Sequence, residues 1–132
     1  MKQSILISLV WLFAFLRQPI QATETIKVAC VGNSITYGTG ITNRDADSYP
    51  AQLQKLLGKK YSVGNFGKPG ATLLAHGHRP YIQQKEYQKA LDFSGDIVVI
   101  HLGINDTDPR NWPNYRDCLL YTSDAADDRI SV

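Results

Sequence analysis

The chain has 132 residues, and its 14 lysines and arginines nearly balance its 12 aspartates and glutamates, for a formal net charge of +2. No basic patch stands out, so we expect neither nucleic acid nor an anionic membrane surface as a partner. A chain of this length can hold one small domain, which is marginal if its fold needs more strands than the chain carries.

The first 22 residues have the pattern of a secretory signal peptide. Lys2 is basic, an apolar stretch runs from Ile5 to Leu16, and Ala22 is the small residue that a cleavage site needs. The apolar stretch has 12 residues, against roughly 20 for a membrane-spanning helix. We therefore expect a secreted or periplasmic protein of a bacterial cell envelope, without a stable membrane span. A buried core helix is the alternative.

The first half of the remaining chain predicts strand, helix, strand. The apolar run Ile26 to Val31 indicates a buried strand. A helix is expected to open at Ser48-Tyr49-Pro50, since proline suits a first helical turn, and to end at Gly58. Three leucines fall on one face of that helix: Leu53, Leu56 and Leu57. The segment Tyr61 to Phe66 predicts the second strand.

The second half predicts a helix and a strand. Tyr81 to Phe93 is expected to be helical, with three inward-facing side chains: Tyr87, Ala90 and Leu91. Ile97 to Leu102 is continuously apolar, which predicts a strand buried on both faces, as in a parallel sheet. Alternation of strands and helices indicates an α/β protein with a doubly wound parallel sheet. Ligands bind such sheets at the carboxyl ends of the strands, so loops 32–40, 67–72 and 103–108 are expected to converge on one site.

Three motifs follow the three predicted strands. They are Val31-Gly32-Asn33-Ser34-Ile35-Thr36-Tyr37-Gly38, Asn65-Phe66-Gly67-Lys68-Pro69-Gly70-Ala71-Thr72 and Gly103-Ile104-Asn105-Asp106. In this order they resemble the SGNH/GDSL hydrolases, a family of serine esterases, and the resemblance covers Ile26 to Asp117. It implies a flavodoxin-like three-layer α/β/α fold, incomplete in this chain.

The resemblance also implies the catalytic residues Ser34, Gly70 and Asn105. A serine hydroxyl becomes a nucleophile when it is exposed beside a base. Acyl transfer also builds negative charge on an oxygen, which preorganised N–H donors stabilise. The backbone N–H groups of Ser34 and Gly70 and the Asn105 side-chain amide are the expected donors. Taken singly, Ser34 is equally a helix cap, and Gly70 and Asn105 are equally turn residues.

Neighbouring positions have expected structural roles. Asn33 stands where the family more commonly has aspartate, a change that leaves the nucleophile in place. Gly67 is expected to serve the turn, and Asp106 to orient the third loop.

The sequence lacks the late Asp-x-x-His motif from which this family draws its general base. The histidines present are His76 and His78, in a loop that could rim the site, and His101, expected to be a core residue of its strand. A missing carboxyl-terminal part is the simpler account of the missing base, so the chain alone is expected to be a poor enzyme. His76 and His78 have no apparent third metal ligand, and no metal or cofactor is implied.

The pattern of residue types changes abruptly near the end of the chain. Cys118 to Asp128 reads CLLYTSDAADD, which resembles a translated sequencing-library adapter. We therefore expect the hydrolase domain to occupy residues 23–117 and a non-native tail to occupy 118–132, with a native amphipathic tail as the alternative. Cys30 is then the one native cysteine, which leaves no internal disulfide.

The substrate is expected to be a small-molecule or carbohydrate ester. The runs 28–34 and 103–112 resemble secreted bacterial sialate O-acetylesterases, which implies removal of acetyl groups from sugars. Trp112 and Tyr115 are candidates for an aromatic sugar platform, and equally for core or lid residues. A lysophospholipase or thioesterase is the alternative within the same chemistry. A non-catalytic flavodoxin-like module that binds a phosphate or flavin is the alternative of another class.

Overall fold

The computed structural model describes residues 24–113 and 116. The predicted signal peptide, the predicted tail 118–132 and Tyr115 lie outside the described residues. Among the residues that the structure describes, no helix is both long and apolar enough to cross a membrane.

Within the described residues up to Thr107, three strands and four α-helices follow one another. In order they are β1 (Ile26–Gly32), α1 (Ser34–Tyr37), α2 (Arg44–Asp47), α3 (Tyr49–Leu57), β2 (Tyr61–Gly67), α4 (Lys85–Phe93) and β3 (Ile97–His101). Short 3-10 helices occupy Tyr81–Gln83 and Ile104–Thr107. The strands form one parallel sheet in the order β2-β1-β3. The prediction of an α/β protein with a parallel sheet is confirmed.

The two longer helices lie on opposite faces of the sheet. Cys30 of β1 is buried beside the side chain of Tyr49 in α3, whereas its neighbour Val31 belongs to a core cluster against which Ala90 of α4 packs. Successive side chains of a strand point to opposite faces. The helices therefore cover β1 from both sides, which makes β1 the centre of the fold.

Gln54 in α3 covers the outer edge of β2. Its Oε1 accepts a hydrogen bond from Val63 N at 2.8 Å, and its Nε2 donates to Tyr61 O at 3.0 Å. Backbone groups on an edge strand otherwise remain open to pairing with another chain. One glutamine side chain thus satisfies two of these groups and fixes α3 against β2.

The predicted burial of β3 on both faces is wrong. Val98 is 54% exposed and Ile100 is 65% exposed, and His101, expected in the core, is exposed as well. The reason is the position of the strand: among the described elements β3 pairs with β1 alone, so it forms an edge of the sheet. A run of apolar residues indicates a strand but does not show which neighbours cover it.

The helix expected over 81–93 is divided in two. Gln84 has extended backbone angles, φ −91° and ψ 149°, which separate the 3-10 turn from α4. Tyr81, before the break, is the buried residue, and its hydroxyl donates to Phe66 O at 2.6 Å. Of the three side chains expected to face inward, Ala90 packs against the core, whereas Leu91 is 51% exposed and Tyr87 is 36% exposed.

Candidate active site

The loops that follow β1, β2 and β3 meet at one end of the sheet, as the sequence predicted. Lys68 N donates to Gly32 O at 2.8 Å, which joins the loop after β2 to the end of β1. Asn33 N donates to His101 O at 3.3 Å, which joins the loop after β1 to the end of β3. Parallel strands bring their carboxyl ends to the same edge, so these contacts follow from the topology.

Ser34 is the first residue of α1, and its neighbour caps the helix. Asn33 is the N-cap, and its Oδ1 accepts a hydrogen bond from Ile35 N at 3.1 Å. Because Asn33 does the capping, the alternative role of Ser34 as a cap is not realised. No residue within 24–113 or at 116 hydrogen-bonds the Ser34 hydroxyl, and the residue is half-buried. The hydroxyl is thus available at the meeting point of the loops.

Gly67 lets α1 approach the end of β2. A Cβ at this position would collide with Tyr37 N and lie 2.7 Å from Thr36 C. We expected Gly67 to serve the turn, but its contacts show that the backbone of α1 packs directly on it. The position of Ser34 therefore depends on a glycine in the neighbouring strand.

Gly70 has a backbone conformation that favours glycine, with φ at +76°. Ala71 N donates to Lys68 O at 3.1 Å and closes the turn around it. The N–H of Gly70 has no acceptor among the described residues. It is therefore free to donate to a bound oxygen.

Asn105 links the third loop to the second. It lies in the 3-10 helix that follows β3, and its Nδ2 donates to Ala71 O at 2.8 Å. A carboxamide nitrogen carries two protons, so this bond fixes the side chain and leaves one N–H for another acceptor. The structure thus places Asn105 beside the residue that follows Gly70.

Asp106 has the structural position expected of it. The residue is fully buried, and its Oδ1 and Oδ2 accept hydrogen bonds from Leu74 N at 2.7 Å and Leu73 N at 2.9 Å. Both carboxylate oxygens therefore hold the segment after β2 against the loop after β3.

Asn111 is a structural element of the site that the sequence did not reveal. It is 1% exposed, its Oδ1 accepts from His78 N at 2.8 Å, and its Nδ2 lies 2.8 Å from His78 Nδ1 and 3.2 Å from Asn105 O. Since an amide nitrogen only donates, His78 Nδ1 is the acceptor and the ring proton sits on Nε2. In sequence, Asn111 is indistinguishable from a turn residue.

None of the three histidines hydrogen-bonds Ser34. His78 Nδ1 is occupied by Asn111, while His76 and His101 are exposed. Among the described residues, no three histidine, cysteine, aspartate or glutamate side chains lie together as a metal site would require. Within the part of the chain that the structure describes, the arrangement thus offers an unbonded serine hydroxyl and unpaired N–H groups, and no histidine contacts that hydroxyl.

Two side chains near the loops, those of Asp108 and Tyr81, have shifted pKa values. Hydrogen bonds from Arg110 hold the pKa of Asp108 well below its ordinary value, since Arg110 Nε and Nη2 both donate to this carboxylate at 2.8 Å. Burial raises the pKa of Tyr81 to about 12, and the charge of Glu86 adds to the shift. Asp108 thus stays ionised and Tyr81 stays protonated at neutral pH.

A cavity of about 540 Å³ lies away from these loops, between α3, β2 and α4. Its lining includes Gln54, Phe66 and Lys89, but none of Ser34, Gly70 and Asn105. The unbonded hydroxyl of Ser34 at the strand ends, rather than this cavity, marks the candidate site.

Residues 30–122 match the GDSL-like Lipase/Acylhydrolase family. The chain belongs to this family. The resemblance seen in the three motifs is therefore confirmed. Membership in a family of acylhydrolases also goes against the flavodoxin-like binding module.

Two family relatives illustrate the similarity. The chain is 49% identical over 94 residues to an acetylxylan esterase of Xylanibacter ruminicola, a match that covers 71% of this chain and 20% of the relative. The chain thus spans about a fifth of the length of this curated relative. The crystal structure of AlinE4, an SGNH-hydrolase family esterase, is 28% identical with a TM-score of 0.48, and the match covers 63% of this chain and 42% of AlinE4.

Proposed function

We propose that the protein of which this chain forms part hydrolyses carboxylic esters through an acyl-enzyme on Ser34. The observation that carries the proposal is the capping of α1 by Asn33. It leaves the Ser34 hydroxyl unbonded within the described residues, where three loops of an acylhydrolase-family sheet meet.

In the proposed reaction, Ser34 Oγ attacks the ester carbonyl and the alcohol leaves. The N–H groups of Ser34 and Gly70 and the second Nδ2 proton of Asn105 stabilise the charge that develops on the carbonyl oxygen. The N–H of Ser34 is available because first-turn N–H groups have no partner within their helix. Water then releases the acid from Ser34. Loss of one such donor typically lowers kcat by roughly 100- to 1,000-fold.

The general base is proposed to come from residues outside those described. His78 Nδ1 already accepts from Asn111, and no described histidine bonds Ser34. A serine hydrolase without its histidine loses on the order of 10⁶ in kcat. The 132-residue chain by itself is therefore expected to be a poor enzyme.

Acetyl groups on carbohydrates are the proposed substrates. The supporting observation is the 49% identity to a protein named acetylxylan esterase, which favours a plant polysaccharide over sialic acid as the sugar. A polysaccharide is too large to enter a cell. Such a substrate is therefore consistent with the secreted location that residues 1–22 predict.

The experiment uses the complete hydrolase that carries this chain. A fluorophosphonate probe is expected to label wild-type protein at Ser34, and Ser34→Ala is expected to lose labelling together with at least about 1,000-fold of kcat on acetylated xylo-oligosaccharides. Ser62→Ala, on β2, is the matched control and should retain both. Full turnover by a folded Ser34→Ala protein would contradict the proposal.

A further inference from the structure

Arg79 lies against the loop that carries Gly70. Its backbone is fixed there, because Thr72 N donates to Arg79 O at 2.8 Å and Thr72 forms a parallel bridge with Pro80. Its Nη1 donates to Pro69 O at 3.1 Å. The same nitrogen lies 3.2 Å from the place that a Cβ on Gly70 would occupy. The guanidinium therefore covers the Cα of the proposed oxyanion donor.

The charge of Arg79 is not neutralised by any described carboxylate. Arg110 is bonded through two nitrogens to Asp108, and Lys68 lies 3.7 Å from Glu86. Arg79, by contrast, has Pro69 O as its hydrogen-bond partner within residues 24–113 and 116, and its surroundings are exposed. Of the five N–H groups of a guanidinium, one is thus used and the others are open to a ligand.

We propose that Arg79 binds a carboxylate on the substrate, next to the ester that Ser34 attacks. The proposal rests on the function proposed above and names its substrate class as acetyl esters of acidic sugars. A planar guanidinium matches the two oxygens of a carboxylate and holds it by paired, charge-assisted hydrogen bonds. The position of Arg79 over Gly70 sets this contact beside the reacting carbonyl, so the carboxylate belongs to the acetylated sugar or to its direct neighbour.

The test compares two substrates that differ in one group. Methyl glucuronoside and methyl glucoside, each carrying one acetyl group at the same hydroxyl, are hydrolysed by the complete enzyme and by Arg79→Gln. We expect wild type to prefer the glucuronoside by about tenfold in kcat/KM and Arg79→Gln to lose that preference through a higher KM. The neutral glucoside should be hydrolysed equally by both, which also shows that the variant folds.

Three further measurements sharpen the test. Arg79→Lys keeps the positive charge but lacks the planar guanidinium, so it should retain part of the preference for the glucuronoside. Arg110→Gln removes a nearby arginine that Asp108 already pairs, and it should leave the preference unchanged. Free glucuronate should inhibit wild type competitively, and more weakly in Arg79→Gln or at high salt, because salt screens an exposed ion pair.

The possible failures are distinguishable. An equal loss on both sugars in Arg79→Gln would overturn the proposal, since it would mean that Arg79 supports the Pro69–Gly70 turn or the oxyanion itself. Wild-type enzyme without a preference for the glucuronoside would overturn it too. A folded wild-type enzyme that hydrolyses neither sugar ester nor any simple acetyl ester would overturn the proposed function, and the role of Arg79 with it.

Discussion

At the scale of single residues, Asp106 shows how one buried side chain joins two loops. Each of its oxygens accepts from one backbone N–H, of Leu74 and of Leu73. An asparagine at this position would keep one acceptor and turn an NH₂ group towards the other backbone N–H. The geometry of the proposed site thus depends on a buried side chain that has no part in the proposed reaction.

Asp106→Asn is expected to lower the free energy of unfolding by about 1–3 kcal/mol, the usual cost of leaving a buried polar group without its partner. It should also lower kcat, because Asn105 lies on the same 3-10 helix. Urea denaturation and acetyl ester hydrolysis measure the two effects. Asp45→Asn is the control, since the Asp45 side chain is 89% exposed, and it should change neither. A fully stable Asp106→Asn protein would contradict this role.

Tyr81 predicts how stability changes with alkaline pH. Its pKa is about 12 in the folded protein and about 10 in an unfolded chain. The folded state therefore holds a proton that the unfolded state releases, and the contribution to stability is complete below pH 10 and is lost as the pH rises towards 12. Tyr81→Phe should remove this part of the alkaline loss, whereas Tyr87→Phe should not. Urea denaturation from pH 8 to 11 compares them, and identical pH curves for wild type and Tyr81→Phe would contradict the assignment.

At the scale of elements, the position of α1 depends on contact with β2. A methyl group at Gly67 would meet the backbone of Tyr37 rather than a flexible side chain. Backbone cannot move aside as a side-chain tip can, so the helix that carries Ser34 would have to shift.

Gly67→Ala is expected to cost about 3 kcal/mol in the free energy of unfolding, the upper part of the range for overpacking, and to reduce activity by displacing Ser34. Gly58→Ala is the comparison: nothing lies within 4 Å of its added methyl group, and its φ of +72° adds conformational strain alone. It should cost about 1–3 kcal/mol, because ψ is −164° and this combination of backbone angles is essentially confined to glycine, and it should leave kcat unchanged. Equal effects of the two substitutions on kcat would show that Ser34 does not depend on this contact.

The sequence predicted the strands and the convergence of their loops, because apolar runs followed by glycine-rich turns are local signals. It did not predict the break at Gln84 or the outward position of Leu91, since both follow from how α4 packs on the sheet. The role of Asn111 was not predicted for a similar reason: its hydrogen bonds to His78 and Asn105 span up to 33 positions of sequence. The capping of α1 by Asn33 instead of Ser34 is likewise a matter of backbone geometry.

At the scale of the whole molecule, the described sheet has an apolar edge. Both faces of β3 are exposed: Val98 and Ile100 are 54% and 65% exposed on one face, and Ile97 and Val99 are 47% and 38% exposed on the other. Exposed apolar edge strands pair with other chains. The 132-residue chain is therefore expected to self-associate through β3.

Replacing Val98 and Ile100 together with lysine should keep the chain monomeric at concentrations where wild type associates, because edge lysines oppose strand pairing. Light scattering after size-exclusion chromatography measures this. The same double substitution at Leu56 and Leu73, which are 83% and 43% exposed but lie outside β3, is the control. Association that persists equally in both double variants would place the contact elsewhere.

We expect Gln54 to limit that association to one edge of the described sheet. Its bonds to Val63 N and Tyr61 O occupy part of the opposite edge, so among the described strands β3 offers the more open edge for pairing. When two molecules pair their β3 strands across a two-fold axis, the open edge of each molecule is occupied. Such a two-fold contact is closed and adds no third molecule. We therefore expect dimers rather than open-ended fibres of this chain.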